Sequence, residues 1–345
     1  MKKITVVGAG YMGSAITYPL SDNDFDVSLC GTWLDDEIIS NSKSGIHPKL
    51  KKPLNKNVKL FYWTEIDKAL LDSEIIFIAV TSEGFIKIFG EILDNIKRQC
   101  VFLALTKGFT EKDNKIYRIS EIAEILFKDK FKDNIFKWCS IGGPVKAVEL
   151  ANFIPTISIY GVNNENLKDL AISFSTDYYE VFTTSDFKGV EISSALKNIY
   201  STAIGIIDGL FINDIKNSYH NFSSWIFSQA IKEMAEIAAI FGANEKTVFD
   251  FAGIGDLYVT AQSGRNRRFG ELIGTGLKAY DAYKLMLKEG EVAEGFNTLK
   301  LASKLIKDID IKFPLFQTIY GIFFKNNDPF TSFKLLLKKV IEYKI

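Results

Sequence analysis

Apolar residues follow two patterns along the chain, and the change between them divides it. In the first half they come as short, nearly unbroken runs: KITVVG (3–8), DVSLC (26–30), VKLFY (58–62), EIIFIAV (74–80), CVFLAL (100–105), KWCSIG (137–142), TISIYG (156–161) and YEVFTT (179–184). Runs of this length predict strands buried on both faces. Helical spacing lies between many of them, as in Glu83 to Ile96 and Lys115 to Phe127. Strand and helix in alternation predict a parallel, doubly wound sheet. After Thr184 the short runs stop, and residues 187–345 read as helix upon helix, with breaks near Asn213–Tyr219, Gly253–Gly255, Ser263–Gly264 and Asn326–Pro329. The pattern therefore predicts an α/β domain over residues 1–185 and an all-helical domain over residues 186–345. There is no internal repeat and no low-complexity linker.

One helical stretch stands apart. GVEISSALKNIYSTAIGIIDGL, Gly189 to Leu210, is built from small and apolar residues, yet Lys197 sits in its middle. A buried, unpaired charge is costly, so such a lysine is paired, neutralised or used. Glu191 on the same helix is one available partner.

Composition narrows the classes. Lysine plus arginine equals aspartate plus glutamate, 42 each, so the total gives no sign of a nucleic-acid tract or a basic membrane face. Three scattered cysteines, Cys30, Cys100 and Cys139, fit a reducing cytosol and argue against a disulfide scaffold or zinc ribbon. Two histidines, His47 and His220, leave little room for a metal site or a triad. MKKITVVGAG begins like a signal peptide, but its apolar run is short and ends in a glycine turn, so it reads as a first strand. No run of about 18 apolar residues predicts a membrane span.

The candidate chemistry begins at GAGYMG, with Gly8, Gly10 and Gly13 around Tyr11 and Met12. It follows a predicted strand and opens a predicted helix. Gly8 permits a tight turn, Gly10 lets backbone approach a pyrophosphate, and Gly13 allows close helix packing. The second strand ends at Cys30-Gly31-Thr32-Trp33, where an acid would hold the ribose of NAD and an arginine the extra phosphate of NADP. Neither follows at once, and Asp35 and Asp36 come slightly late. With no cation in place the pattern leans to NAD and leaves NADP open. Lys107 and Gly108 lie just beyond a strand, where ligands bind in such sheets, and Gly143-Pro144 lies beyond another. A solvated loop lysine and a plain turn are the bland alternatives. Further on, FAGIGDLYVTAQSGRNRRFGELIG carries Asp256 and then Arg265, Asn266, Arg267 and Arg268. Arginine suits bidentate phosphate binding, but three neighbouring guanidiniums cannot share one direction on a helix. GEVAEGFNT places Val292 and Glu294 in a predicted loop.

Taken together, these segments resemble the NAD(P)-dependent glycerol-3-phosphate dehydrogenases. The resemblance runs from Gly8 to about Thr298 and is most specific in GVEISSALKN, AGIGDL and GRNRRFG. It implies a Rossmann-type domain followed by an all-α domain like the C-terminal domain of 6-phosphogluconate dehydrogenase. It implies reduction of dihydroxyacetone phosphate to sn-glycerol 3-phosphate, which feeds phospholipid synthesis, by a cytoplasmic homodimer without a metal. Lys197 matches the family's acid/base, Lys107 a second active-site lysine, and Asp256 a substrate-pocket position; a carboxylate there would hold the ammonium in line. Gly143, Arg265 and Asn266 match substrate positions. Thr32, Ala147, Val292 and Glu294, together with Lys107 and Arg265, match positions at the cofactor. A lysine among apolar neighbours, with Lys107 close, should have a lowered pKa. The chain departs from the family at Val145 and Gly264, where hydroxyl residues are frequent. It departs also at Thr32, where a basic residue is frequent, at Met12, and at Gln229-Ala230-Ile231. A β-hydroxyacid dehydrogenase would place asparagine four residues after the lysine, where Ser201 stands. A non-catalytic nucleotide sensor would keep the glycine turn without needing Lys197, Asp256 and Arg265.

Overall fold

The computed structural model describes residues 2–212, 219–307 and 313–342. The chain divides into two compact units, Met1–Lys112 with Tyr117–Glu191, and Asp113–Ile116 with Ile192–Ile345.

The first unit alternates strand and helix: β1 (Lys3–Val7), α1 (Tyr11–Asp22), β2 (Asp26–Cys30), α2 (Asp36–Lys43), β3 (Lys59–Phe61), α3 (Ile66–Leu70), β4 (Ile75–Ile78), α4 (Ser82–Asn95) and β5 (Val101–Ala104). After a hairpin, β6 (Phe109–Lys112) and β7 (Lys115–Arg118), come α5 (Ile119–Lys130), β8 (Lys137–Gly142), α6 (Ala147–Ala151), β9 (Thr156–Val162), α7 (Lys168–Ile172) and β10 (Tyr179–Thr184). Eight strands form one sheet in the order β10-β9-β8-β5-β4-β1-β2-β3. The apolar runs are explained by its two covered faces. On β4, Ile75 and Phe77 enter the core formed with α1 and α6, while Ile76 and Ile78 enter the core formed with α3, α4 and α5. Side chains alternate along a strand, so a sheet covered on both sides needs apolar residues at every position.

Two expectations are corrected. The sheet is not wholly parallel: β9 runs antiparallel to β8, and β10 runs parallel to β9. The cause is the short α6. Five helical residues rise about 7.5 Å, whereas a strand of six spans about 20 Å, so the chain re-enters the sheet from the end at which it left. The helix expected from Lys115 instead begins at Ile119, and Lys115–Arg118 is a strand. Asp113 and Asn114 have φ of 52° and 62°. Two successive left-handed residues are the signature of a type I′ hairpin turn.

The helical region consists of α8 (Phe187–Leu210), α9 (His220–Ile240), α10 (Glu245–Val248), a π-helical turn (Phe251–Gly255), α11 (Asp256–Gln262), α12 (Arg265–Gly274), α13 (Ala279–Lys288), α14 (Glu294–Leu305), α15 (Pro314–Lys325) and α16 (Pro329–Glu342). The break expected near residues 213–219 lies outside the described residues except for Tyr219. That expected near 253–255 is the π turn, and Ser263 and Gly264 separate α11 from α12. Asn326, left-handed at φ 54°, ends α15. Among the described residues no helix is long and apolar enough to cross a membrane.

Four glycines bring α8 and α12 to backbone contact. A Cβ on Gly205 would lie 2.0 Å from the Arg267 carbonyl oxygen, and one on Gly209 2.2 Å from that of Glu271. From the other side, a Cβ on Gly270 would lie 2.1 Å from the Thr202 oxygen, and one on Gly274 2.2 Å from that of Ile206. Such distances admit no side chain, so the seam depends on glycine. It fixes the first turn of α12 against Gly205, about two helical turns along α8 from Lys197.

Candidate active site

In the first unit the glycine turn has the geometry its sequence predicts. Gly8 has φ of 105°, and a Cβ there would lie 2.5 Å from the Ala79 carbonyl oxygen. A Cβ on Gly13 would lie 1.9 Å from the Gly8 oxygen, so α1 packs directly on the turn. A Cβ on Gly10 would meet nothing within 4 Å. Gly10 is the N-cap of the twelve-residue α1 and supplies no side-chain cap, so the N–H groups of the first turn, with Tyr11 and Met12, are left for an outside acceptor. One glycine is needed for conformation, one for packing and one for an open approach. That combination fits the pyrophosphate of a dinucleotide.

Ala9, between the first two glycines, is held on both sides. Its N–H donates to Asp35 Oδ2 at 3.2 Å, and its carbonyl faces His47 Nε2 at 3.2 Å. His47 Nδ1 accepts from the Leu50 N–H at 3.0 Å, so the ring carries its proton on Nε2 and donates it to Ala9. Burial pushes the His47 pKa below its usual 6.5. Asp35 Oδ2 also accepts from the Thr32 N–H and the Thr32 hydroxyl, both at 2.8 Å. Thr32 is thus buried, with its hydroxyl committed to Asp35. The late aspartate of the sequence fastens the glycine loop to the end of β2. No pattern in the sequence marks His47 or Asp35 for this duty.

Two other predicted residues lie at strand ends of the same unit. Lys107 is half-buried in the loop after β5, next to Gly108 at φ 119°. Gly143 follows β8 at φ 110°, and a Cβ there would press within 3.2 Å of the Ile157 carbonyl oxygen. Val145 packs against the core, so an apolar side chain suits that position. Ala147 opens α6, whose five residues make it too short to focus much dipole on an anion.

In the second unit Lys197 is buried, 6% exposed, and Asp256 is fully buried. Lys197 Nζ donates to Asp256 Oδ1, and to Thr260 Oγ1 at 3.0 Å. Asp256 opens α11, where the helix end favours a carboxylate. Thr260 lies one turn further on the same face. The π turn that delivers Asp256 depends on Gly253, whose Cβ would fall 2.0 Å from the Val248 carbonyl oxygen. The ammonium is therefore paired. Glu191, the nearer partner in sequence, is engaged elsewhere. It accepts from the Ser120 N–H at 2.7 Å and the Ser120 hydroxyl at 2.6 Å, and meets Arg118 at 3.5 Å. Thr260 escaped the sequence reading, although its i+4 spacing from Asp256 was visible.

Asn198 extends the site by one residue. Its Nδ2 donates to Glu294 Oε2 at 3.1 Å, and its Oδ1 accepts from Asn266 Nδ2 at 2.9 Å. Asn266 Oδ1 accepts from the Gly295 N–H at 2.9 Å. Both ends of the Asn266 amide are thus engaged, and one N–H remains to offer. Arg265, half-exposed at the start of α12, meets Glu294 at 3.3 Å. Val292 is half-buried in the loop before α14. Arg267 is taken by Asp208 at 2.6 Å and Glu271 at 3.0 Å, and Arg268 by Glu289 at 2.5 Å and Glu291 at 2.8 Å. Gly264, where the resemblance would put serine, has φ of 152° and ψ of 170°, a conformation essentially closed to other residues.

The chain is similar to known proteins along nearly its whole length. A family model described as the N-terminus of NAD-dependent glycerol-3-phosphate dehydrogenase matches residues 3–168, and one described as its C-terminus matches residues 186–334. The NADP(+)-dependent glycerol-3-phosphate dehydrogenase of Archaeoglobus fulgidus is 34% identical, covering 93% of this chain and 95% of its own. The glycerol-3-phosphate dehydrogenase [NAD(P)+] of Bacillus subtilis is 31% identical, covering 98% and 95%. The crystal structure of glycerol-3-phosphate dehydrogenase from Coxiella burnetii superposes with a TM-score of 0.83 at 25% identity, covering 97% of this chain and 98% of that one.

Proposed function

The chain belongs to the NAD-dependent glycerol-3-phosphate dehydrogenase family and is an NAD(P)-dependent oxidoreductase of that kind, and we propose that Lys197 is its general acid and base. The observation that carries this reading is the buried Lys197 amine, held by Asp256 and Thr260. When bound, the nicotinamide supplies the hydride for C2 of dihydroxyacetone phosphate, or takes it back from glycerol 3-phosphate. Reduction builds negative charge on the C2 oxygen. The Lys197 ammonium stabilises that charge and donates its proton there. In the oxidative direction the neutral amine removes the same proton. Asp256 balances the ammonium, and the Thr260 hydroxyl fixes the direction of Nζ.

Arg265 is the phosphate anchor, placed at the start of α12 with its guanidinium half-exposed. Asn266 acts mainly through Asn198, keeping that helix start in register, with one N–H left for the phosphate. Lys107 and Gly143 belong to the substrate site by their strand-end positions. Gly10, Tyr11, Met12 and Gly13, at the start of α1, offer backbone N–H groups to the pyrophosphate, while Gly8 shapes the turn with its own N–H donated to the Cys30 carbonyl at 2.8 Å. Ala147, Val292 and Glu294 complete the cofactor site. Residues 1–185 accordingly bind the dinucleotide, and residues 186–345 hold the substrate. The enzyme works in the cytoplasm as a homodimer, supplying glycerol 3-phosphate for phospholipid synthesis.

The test is to follow NADH and NADPH absorbance with dihydroxyacetone phosphate, unphosphorylated dihydroxyacetone and 3-oxo acids. Turnover should be strong only with the phosphorylated ketone. Preference for a 3-oxo acid would overturn the assignment.

A further inference from the structure

The end of β2 is where a Rossmann-type domain distinguishes NAD from NADP. A free carboxylate there accepts from the ribose 2′-hydroxyl of NAD, whereas a cation there meets the 2′-phosphate of NADP. In this chain the carboxylate is spent. Asp35 is buried, and its Oδ2 takes the N–H groups of Ala9 and Thr32 and the Thr32 hydroxyl. After β2 the surface carries Trp33 and Leu34, 37% and 81% exposed, followed by the exposed carboxylates Asp36 and Glu37 in the first turn of α2.

A cation does stand there, supplied by another element. Lys87 of α4 holds its Nζ 4.1 Å from the centroid of the Trp33 ring. Trp63 packs against the same indole, with ring centroids 5.4 Å apart at 82°, and so fixes the surface on which the ammonium rests. Among the described residues no carboxylate lies within ion-pair distance of Lys87. Lys43, the other lysine beside this mouth, lies 4.0 Å from the Tyr62 ring but has Glu65 at 3.9 Å. A cation–π contact holds an ammonium through its charge without neutralising it, and leaves some of its three N–H donors to offer. The lean to NAD drawn from the sequence rested on the absence of a cation after β2, and the fold brings one in from α4.

We propose that Lys87, seated on Trp33, is the residue that selects the 2′-phosphate of NADP(H). It takes the place of the basic residue that the family often has where Thr32 stands. This inference rests on the dinucleotide reading of the glycine turn given above.

The experiment compares binding of adenosine 2′,5′-bisphosphate and 5′-AMP to the whole protein by calorimetry, in wild type, Lys87→Gln and Lys87→Arg. It is followed by the ratio of kcat/KM for NADPH to that for NADH. Wild type should bind the bisphosphate more tightly, and more so at low salt. A charge-assisted hydrogen bond at a half-exposed site corresponds to about tenfold. Lys87→Gln should therefore lower the preference for the bisphosphate, and the NADPH/NADH ratio, by about that factor, and Lys87→Arg should restore both. Equal binding of the two nucleotides by wild type would overturn the proposal. So would a preference that Lys87→Gln leaves unchanged. The nucleotide titrations need no turnover. If dihydroxyacetone phosphate is not reduced but the selective loss is seen, the reaction assignment fails while the role of Lys87 stands.

Discussion

Removing the carboxylate that faces Lys197 should destabilise the protein far more than an ordinary surface change, and removing both charges should not. In Asp256→Ala the ammonium stays buried at 6% exposure with Thr260 as its remaining named partner. Stranding one member of a buried pair typically costs about 3–5 kcal/mol. For a cooperative unit of 150–250 residues each kcal/mol lowers Tm by roughly 2–4 °C, so the variant should melt about 6–20 °C below wild type. Lys197→Met combined with Asp256→Ala leaves no stranded charge. Replacing a buried pair by apolar groups is often nearly neutral, so the double variant should recover most of the lost Tm while remaining inactive. The assay is thermal unfolding by circular dichroism beside the absorbance assay. A single variant that melts with wild type would show that the ammonium does not depend on Asp256. A double variant no more stable than the single would show that the loss came from the cavity or the start of α11 instead of from charge.

Arg265→Ala should lose about 10–150-fold in kcat/KM for dihydroxyacetone phosphate, the range for one hydrogen bond to a charged group, and little on unphosphorylated dihydroxyacetone. Arg267→Ala should keep more of the activity because its charge is already met by Asp208 and Glu271; equal losses on both substrates in Arg265→Ala would place the phosphate elsewhere. The His47 clamp predicts a pH effect with a definite sign. Its folded pKa lies below 6.5, so between those two values the unfolded chain binds a proton that the folded chain refuses. Stability should fall as pH drops through that window, and the fall should be shallower in His47→Gln; identical pH profiles of Tm for the two proteins would remove His47 from the clamp.

The sheet was legible because burial on two faces writes itself into sequence as unbroken apolar runs, and Ile75 to Ile78 feed both cores in turn. The reversal of β9 was not, because it depends on the length of α6, and helix ends are weakly marked. Nor was the hairpin, since KIYR continues smoothly into the apolar spacing of α5, and only the Asp113-Asn114 pair hints at a turn. Lys197 was conspicuous as a lone cation in a small-residue helix. Its partner was not deducible from spacing, since Asp256 lies 59 positions away, and only the resemblance pointed to it. Coenzyme choice was not legible from spacing for the same reason. The reading followed the residues after β2, while Lys87 arrives from a helix beyond β4, and Asp35 turned inward to hold Ala9. Gly264 reads as a lost hydroxyl in sequence and as a backbone requirement in the fold.

The central claim, that the Lys197 amine moves the proton at C2, is tested most directly by kcat of Lys197→Ala at saturating dihydroxyacetone phosphate and cofactor, with cofactor affinity measured separately by titration. General acid catalysis is typically worth about 10²–10⁴-fold. The account predicts a loss of that size in kcat with cofactor affinity close to wild type. A variant that folds, binds cofactor and turns over near the wild-type rate would contradict it.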